Sequence, residues 1–171
     1  MKKLFVVIVA VMSMASLNAQ TKIAHVNSQK LLDTMPSRKF AMQQLQQFEA
    51  AGTAELQEMD ADLQATYKKY MADQANLTPV MRQYEEDKLQ KKQGAMQQRE
   101  QELQQQITGL SNELNAPILK RVQKAVEIVS ERKKLNYVID ETVTLYFKGG
   151  VDLTNEVMIE LLRLDAEETR R

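Results

Sequence analysis

The sequence predicts an α+β protein in which a small β-sheet body carries a long protruding antiparallel α-helical coiled-coil hairpin. Three observations predict it. From Pro36 to about Ala116 the chain is rich in Gln, Glu and Lys, and its apolar residues return at heptad spacing: Leu89, Met96, Leu103 and Leu110 in one series, Leu45, Gly52, Met59 and Thr66 in another. A seven-residue apolar repeat marks a coiled-coil seam. The stretch is interrupted at Asn76-Leu77-Thr78-Pro79, where Thr78 can cap a new helix whose first residue is Pro79, a place where proline's missing N–H and fixed φ cost nothing. Short β-branched segments lie both before and after this stretch, so the sheet is expected to be assembled from the two ends of the chain.

If the chain folds back at Leu77 and Thr78, residues whose numbers sum to about 155 face one another across an antiparallel seam. That register sets Leu45 against Leu110, Phe48 against Ile107, Gly52 against Leu103, Met59 against Met96 and Thr66 against Leu89. The two heptad series are independent of each other, and the register makes them meet. A helix of about 40 residues is on the order of 60 Å long at 1.5 Å per residue.

Taken in order, residues 1–19 read as a signal peptide: Lys2 and Lys3, an apolar run from Leu4 to Met12, then small and polar residues up to Ala19, after which cleavage is expected. The run is too short for a stable membrane span, although an uncleaved anchor is the alternative. Residues 20–35 form the first part of the body, with a strand in Thr21–Asn27 and a helical turn or two from Gln29 to Met35, capped by Asn27 or Ser28 and ended or kinked by Pro36. The hairpin arm occupies 36–116, with its turn near 76–79. The second part of the body is 117–171. Pro117 kinks a helix or starts one, and Ile118, Val122, Ala125, Val126 and Val129 make a broader apolar stripe suited to packing on a sheet. Two strands, Asn136–Asp140 and Val143–Phe147, are expected on either side of a tight Glu141-Thr142 connection. Lys148-Gly149-Gly150 is a turn, Asn155 to Leu164 a short helix, and the charged Asp165–Arg171 end is expected to fray.

Composition narrows the function. The 171 residues hold 23 Lys and Arg against 23 Asp and Glu; without Lys2 and Lys3 the mature chain has 21 against 23 and is slightly acidic, which points away from nucleic acid. With Cys 0, stability rests on burial and association rather than disulfides. Once the arm is set aside, roughly 70 residues remain for the body, near the lower limit for a self-sufficient core, so oligomerisation is expected. The single His25 has no second His or Cys to complete a soft-metal site, and no metal or cofactor is expected. Gly149-Gly150 lacks the Lys and helix pattern of a phosphate loop, and no nucleophile, base and orienter can be assembled, so the chain is not expected to be an enzyme.

Lys22-Ile23-Ala24-His25-Val26-Asn27-Ser28, the polar hairpin, Tyr137-Val138-Ile139-Asp140 and Asp152-Leu153-Thr154, in this order and spacing, resemble the Skp/OmpH family of periplasmic chaperones across essentially the whole mature chain. The resemblance implies a homotrimer with a small barrel-like β core. Three helical hairpins would surround a cavity in which unfolded outer-membrane proteins are held without ATP, with transient contact with a membrane surface. The familiar chaperone of the family is strongly basic. This chain is not, so a basic lipopolysaccharide-binding patch is not carried over.

Holding a client without fixed shape calls for many weak, adaptable apolar contacts, for which methionine is suited. In the expected register Leu56, Leu63 and Tyr70 face Arg99, Lys92 and Glu85, so they are read as client-facing or covered by those side-chain stems, and with Met71 they are the candidate client contacts. Leu45, Phe48, Met59, Met96, Leu103, Ile107 and Leu110 are assigned to the arm seam, and Ile23, Val138, Tyr146 and Phe147 to the oligomeric body core. The rival reading is a coiled-coil structural or adaptor protein of the cell envelope, whose arm would pack its apolar residues fully within the hairpin.

Overall fold

The computed structural model describes residues 22–169; the expected signal peptide lies outside them. The described chain is mostly helical, with two long helices and one small sheet. In order it comprises β1 (Ile23–Val26), α1 (Ser28–Thr34), α2 (Pro36–Asp73), a 3-10 turn (Gln74–Asn76), α3 (Pro79–Lys133), β2 (Tyr137–Asp140), a second 3-10 turn (Glu141–Val143), β3 (Val151–Asp152) and α4 (Thr154–Thr169). By internal contacts it divides into two compact units, one reaching to Pro36 and resuming at Leu119, the other Ser37–Ile118.

The first unit is built on a three-stranded sheet of order β2-β1-β3 in which both pairings are parallel. Parallel neighbours require crossovers, and the crossover from β1 to β2 contains α1, α2 and α3. β1 alternates as its short pattern requires: Ala24 and Val26 are buried, whereas Ile23 is exposed and His25 half-buried. The core of the unit comprises Ala24, Val26, Leu31, Met35, Ala125, Val129, Leu153, Val157 and Leu161. Asn27 caps α1 by accepting from the Lys30 N–H at 2.9 Å. α3 ends in a Schellman motif: Leu135 N–H donates to the Ser130 carbonyl and Lys134 N–H to that of Glu131, with Lys134 in the left-handed region at φ 54°.

Three expectations are corrected. No hairpin strand forms over Val143–Phe147, because Asp140 turns the chain locally: its carboxylate accepts from Thr142 N–H at 3.0 Å and Ser28 N–H at 3.3 Å, and its carbonyl from the Thr144 hydroxyl at 2.6 Å. Such side-chain bonds compete with ladder pairing. The sheet takes Val151–Asp152 as its third strand instead, parallel to β1 rather than antiparallel to β2. Of the two expectations for Pro117, that it kinks a helix or starts one, the start is overturned, because it lies inside α3. The charged end does not fray at Asp165: α4 continues to Thr169, and Asp165 is 2% exposed and ion-paired with Arg121 at 3.2 Å.

In the second unit, shielding recurs at alternating three- and four-residue steps. Ala41, Leu45, Phe48, Gly52, Leu56, Met59, Leu63, Thr66 and Tyr70 are shielded on α2. On α3 the shielded series includes Leu89, Lys92, Met96, Arg99, Leu103, Ile107 and Leu110. Contacts between the helices pair Gly52 with Leu103, Glu55 with Arg99, Asp62 with Lys92 and Tyr70 with Glu86. Partner numbers fall as residue numbers rise, and each pair sums to within one of the expected 155. At the turn, the Thr78 hydroxyl accepts from Met81 N–H at 3.3 Å and Pro79 opens α3.

Gly52 sits where the helices approach closely, since a Cβ there would lie 2.4 Å from Leu103 Cδ1. Gly94 has open space around a built Cβ. Gly52→Val is therefore expected to lower stability by about 1–3 kcal/mol through overpacking, whereas Gly94→Ala raises it by about 0.4–1 kcal/mol. Paired thermal melts followed by circular dichroism check the contrast, and equal effects of the two substitutions would contradict it.

Candidate functional site

Two surfaces and one side-chain cluster carry the features from which function can be argued. The first surface belongs to the arm helices. Leu45, Phe48, Met59, Met96, Ile107 and Leu110 are half-buried and Leu103 buried, all on the inter-helix face. Leu56, Leu63 and Tyr70 share that face, at the alternate heptad positions of the same stripe. Their polar neighbours across the seam are Arg99 and Lys92, whose long aliphatic stems can cover apolar surface while their charged ends reach Glu55 and Asp62. The Arg99–Glu55 pair is bidentate, with Nε to Oε1 at 2.8 Å and Nη2 to Oε2 at 2.7 Å, and it holds the Glu55 carboxyl below its usual pKa. Tyr70 is buried and donates to Glu86 Oε1 at 2.6 Å while accepting from Gln74. The bond to Glu86, with burial, pushes the phenol pKa up.

Of the four candidate client contacts, Met71 lies on the open surface, half exposed. It has company that the sequence reading did not single out as contacts: Met42, Tyr67, Val80, Met81 and Tyr84 are all exposed on the same two helices, Tyr84 at 67%. Between them run shallow grooves with apolar floors and amide or charged rims. One of about 550 Å³ is lined by Leu63, Tyr67, Tyr70 and Leu89 with glutamines around them. Another contains Met42 and Leu45 beside Lys39, and a third is formed by Val80 and Tyr84. Open grooves with flexible walls suit partners of variable shape.

The second surface is the outer face of the sheet. In a parallel ladder, directly paired residues project to the same side, so Ile23, Tyr137, His25, Ile139 and Asp152 share one face. Ile23, Tyr137 and Ile139 are exposed there, with Phe147 folded against His25 at a ring separation of 4.9 Å. Val138 is half-buried, and Tyr146, in the irregular segment after β2, is 78% exposed. Parallel sheets are ordinarily covered on both faces, which makes this apolar face unusual within a single chain.

The cluster centres on His25. Its Nδ1 lies 2.6 Å from Glu141 Oε1, and Asn27 Nδ2 donates to the other oxygen of Glu141 at 3.1 Å. Asp152 joins from β3, and the candidate donor atoms of the three residues lie within 4.8 Å of one another. His25 and Glu141 are 116 residues apart, so only the β1–β2 and β1–β3 pairings bring the three together, and no sequence spacing signals them.

Carboxylates also fasten this unit. Burial pushes the Asp140 pKa up, but hydrogen bonds from Ser28 and Thr142 outweigh it and leave the group low. Hydrogen bonds from Thr154 hold Asp152 low, and Arg163 with Arg132 holds Glu160 low. A carboxylate whose folded pKa lies below its unfolded value adds stability above the unfolded value and loses it as pH falls through the folded one. The thermal midpoint of the protein is therefore expected to drop on acidification below about pH 4. Melts between pH 3 and pH 6 should show Asp140→Asn less acid-sensitive than the parent, and identical slopes would contradict this.

Comparison with known proteins agrees in direction. The family model described as outer membrane protein (OmpH-like) matches residues 22–161. Proteins named chaperone protein Skp are similar over most of their length: the one from Photorhabdus laumondii is 27% identical over 82% of this chain and 85% of its own, and the one from Escherichia coli K12 is 28% identical over 84% and 88%. A crystal structure of a candidate outer membrane chaperone (OmpH-like) from Caulobacter crescentus CB15 superposes with a TM-score of 0.73 at 17% identity, covering 87% of this chain and 86% of that one, which speaks for the fold. With the family model spanning the strands, both long helices and the first half of α4, the chain belongs to the OmpH-like outer membrane protein family, the Skp/OmpH group whose strand and hairpin features its sequence resembles.

Proposed function

We propose that this protein is an ATP-independent holdase chaperone of the periplasm. In this reading it binds unfolded outer-membrane proteins between the antiparallel coiled-coil arms of a homotrimer and prevents their aggregation. The observation that carries the reading is the division of apolar residues in the second unit: one set is shielded at heptad spacing, while Met42, Tyr67, Met71, Met81 and Tyr84 stand exposed, with Met42, Tyr67 and Tyr84 lining shallow grooves. The chaperone names of the family relatives support it. Within it, Leu56, Leu63 and Tyr70 act in the seam and Met71 in client contact. A polar arm with scattered apolar residues offers each client segment a weak hold. Many such contacts retain a disordered chain without fixing its shape, and release needs no nucleotide. Export rests on the first 19 residues read as a signal peptide.

The body is assigned to association. Its outer sheet face, with Ile23, Tyr137 and Ile139 exposed, is the surface that neighbouring copies would cover, together with Tyr146 and Phe147, in a shared β core. Tyr137→Asp is expected to shift the particle from trimer to monomer in mass photometry or light scattering, and a trimer unchanged in mass and stability would contradict that assignment.

Aggregation of a urea-unfolded outer-membrane protein, followed by light scattering after dilution, tests the client surface. Combined Tyr67→Ser, Met71→Ser and Tyr84→Ser substitutions are expected to raise the chaperone concentration needed for half-suppression several-fold while leaving helicity and oligomer mass unchanged. Leu56→Ser with Leu63→Ser is expected to lower the melting temperature first. Full suppression by the triple variant would contradict the assignment of the surface. An intact oligomer that never suppresses aggregation would favour the adaptor reading.

A further inference from the structure

We propose that His25, Glu141 and Asp152 form a divalent-metal site for zinc or a zinc-like cation, which clamps the three strands of the sheet together. An imidazole nitrogen and two carboxylate oxygens are the borderline donor set that zinc takes, with the fourth position left to water. The three donors arrive from β1, from the 3-10 turn after β2 and from β3, on the sheet face where the His25–Asp152 register places them side by side. Donors around a tetrahedral zinc, at ligand distances of about 2.0–2.2 Å, sit roughly 3.5 Å apart. The donor atoms here lie within 4.8 Å of one another, with His25 Nδ1 and Glu141 Oε1 at 2.6 Å, so rotation of the two carboxylates would draw Asp152 in and swing Glu141 out around the cation.

The supporting shell is of the kind that orients metal ligands. Asn27 Nδ2 donates to Glu141 Oε2 at 3.1 Å, and Thr154 N–H donates to Asp152 Oδ1 at 2.8 Å. Phe147 lies 4.9 Å from the imidazole as an apolar wall. Gly150, at φ 97°, lets the loop pass close enough that a Cβ there would lie 3.2 Å from His25 Cδ2. The His25 and Glu141 side chains are 15% and 21% exposed in the single chain and so partly desolvated. The sequence argument against a metal rested on the lack of a second His or Cys. The fold supplies carboxylates in their place. Bound at this point, the cation would tie both outer strands to β1, where β3 contributes only two residues to the ladder.

The chain's own composition makes the test clean, because His25 is the single histidine and Cys is 0. Untagged protein carrying nitrogen-15 histidine is titrated with zinc chloride and the one imidazole followed by NMR. The expected result is a new imidazole signal that saturates at one zinc per chain. Asp152→Asn keeps a side-chain oxygen that can accept from Thr154 N–H, and Glu141→Gln keeps the side-chain shape. Each should weaken zinc binding by about tenfold or more while the melting temperature without metal changes little. An imidazole signal unmoved by a tenfold excess of zinc would overturn the proposal. So would affinity unchanged in both variants, which would mark adventitious binding to an isolated imidazole. Neither result bears on the aggregation assay, which reads the arm.

Discussion

The arm depends on a stripe of side chains that recurs every three or four residues and on the closeness it permits. In a helix this polar, two positions in seven are all that can be buried, and the long helices pair through them, with Gly52 receiving Leu103. Even this stripe is incomplete: Lys92 and Arg99 occupy shielded positions on α3 and reach Asp62 and Glu55 on α2. Exposed ion pairs of this sort contribute at most modestly to stability. Their greater effect is on register, because a slip along the seam would part Arg99 from Glu55 and Lys92 from Asp62.

That economy gives the exposed residues their meaning. Scattered single hydrophobics on a surface are ordinary, but here apolar side chains are scarce and several of the largest stand outside the seam. Tyr67, Met71, Val80, Met81 and Tyr84 come from the end of α2 and the start of α3, on either side of the turn. Tyrosine and methionine combine broad contact area with tolerance of water and of changing partners, which is what holding an unfolded chain demands. The sheet presents the complementary case: Ile23, Tyr137 and Ile139 are left exposed on one face, where a small body has little chain to cover them.

What the sequence made legible follows from the range of the forces involved. The heptad series, the Thr78-Pro79 start and the Asn27 cap are local patterns, and each could be read directly. The strand expected over Val143–Phe147 had the β-branched and aromatic composition of a strand, but the decisive interaction was the Asp140 carboxylate binding the backbone just ahead of it. Asp165 looked like part of a solvated tail because its partner, Arg121, lies on a different helix far back in the chain. For Leu56, Leu63 and Tyr70 the polar residues expected opposite them left two readings open, contact with a client or cover by a side-chain stem. Side chains as long as Arg99 and Lys92 can flank a seam without opening it. The His25 cluster was invisible for the reason that governs most sites: three residues unremarkable in sequence become neighbours only through strand pairing.

The most direct test of the account is site-specific photo-crosslinking to an unfolded outer-membrane client, with a photoreactive phenylalanine analogue placed at Tyr84 or Met71 on the open arm surface, at Met96 in the seam, or at Val157 in the body core. The account predicts strong client adducts from Tyr84 and Met71, weak ones from Met96 and none from Val157. Adducts of equal yield from all four positions, or none from the arm, would contradict it.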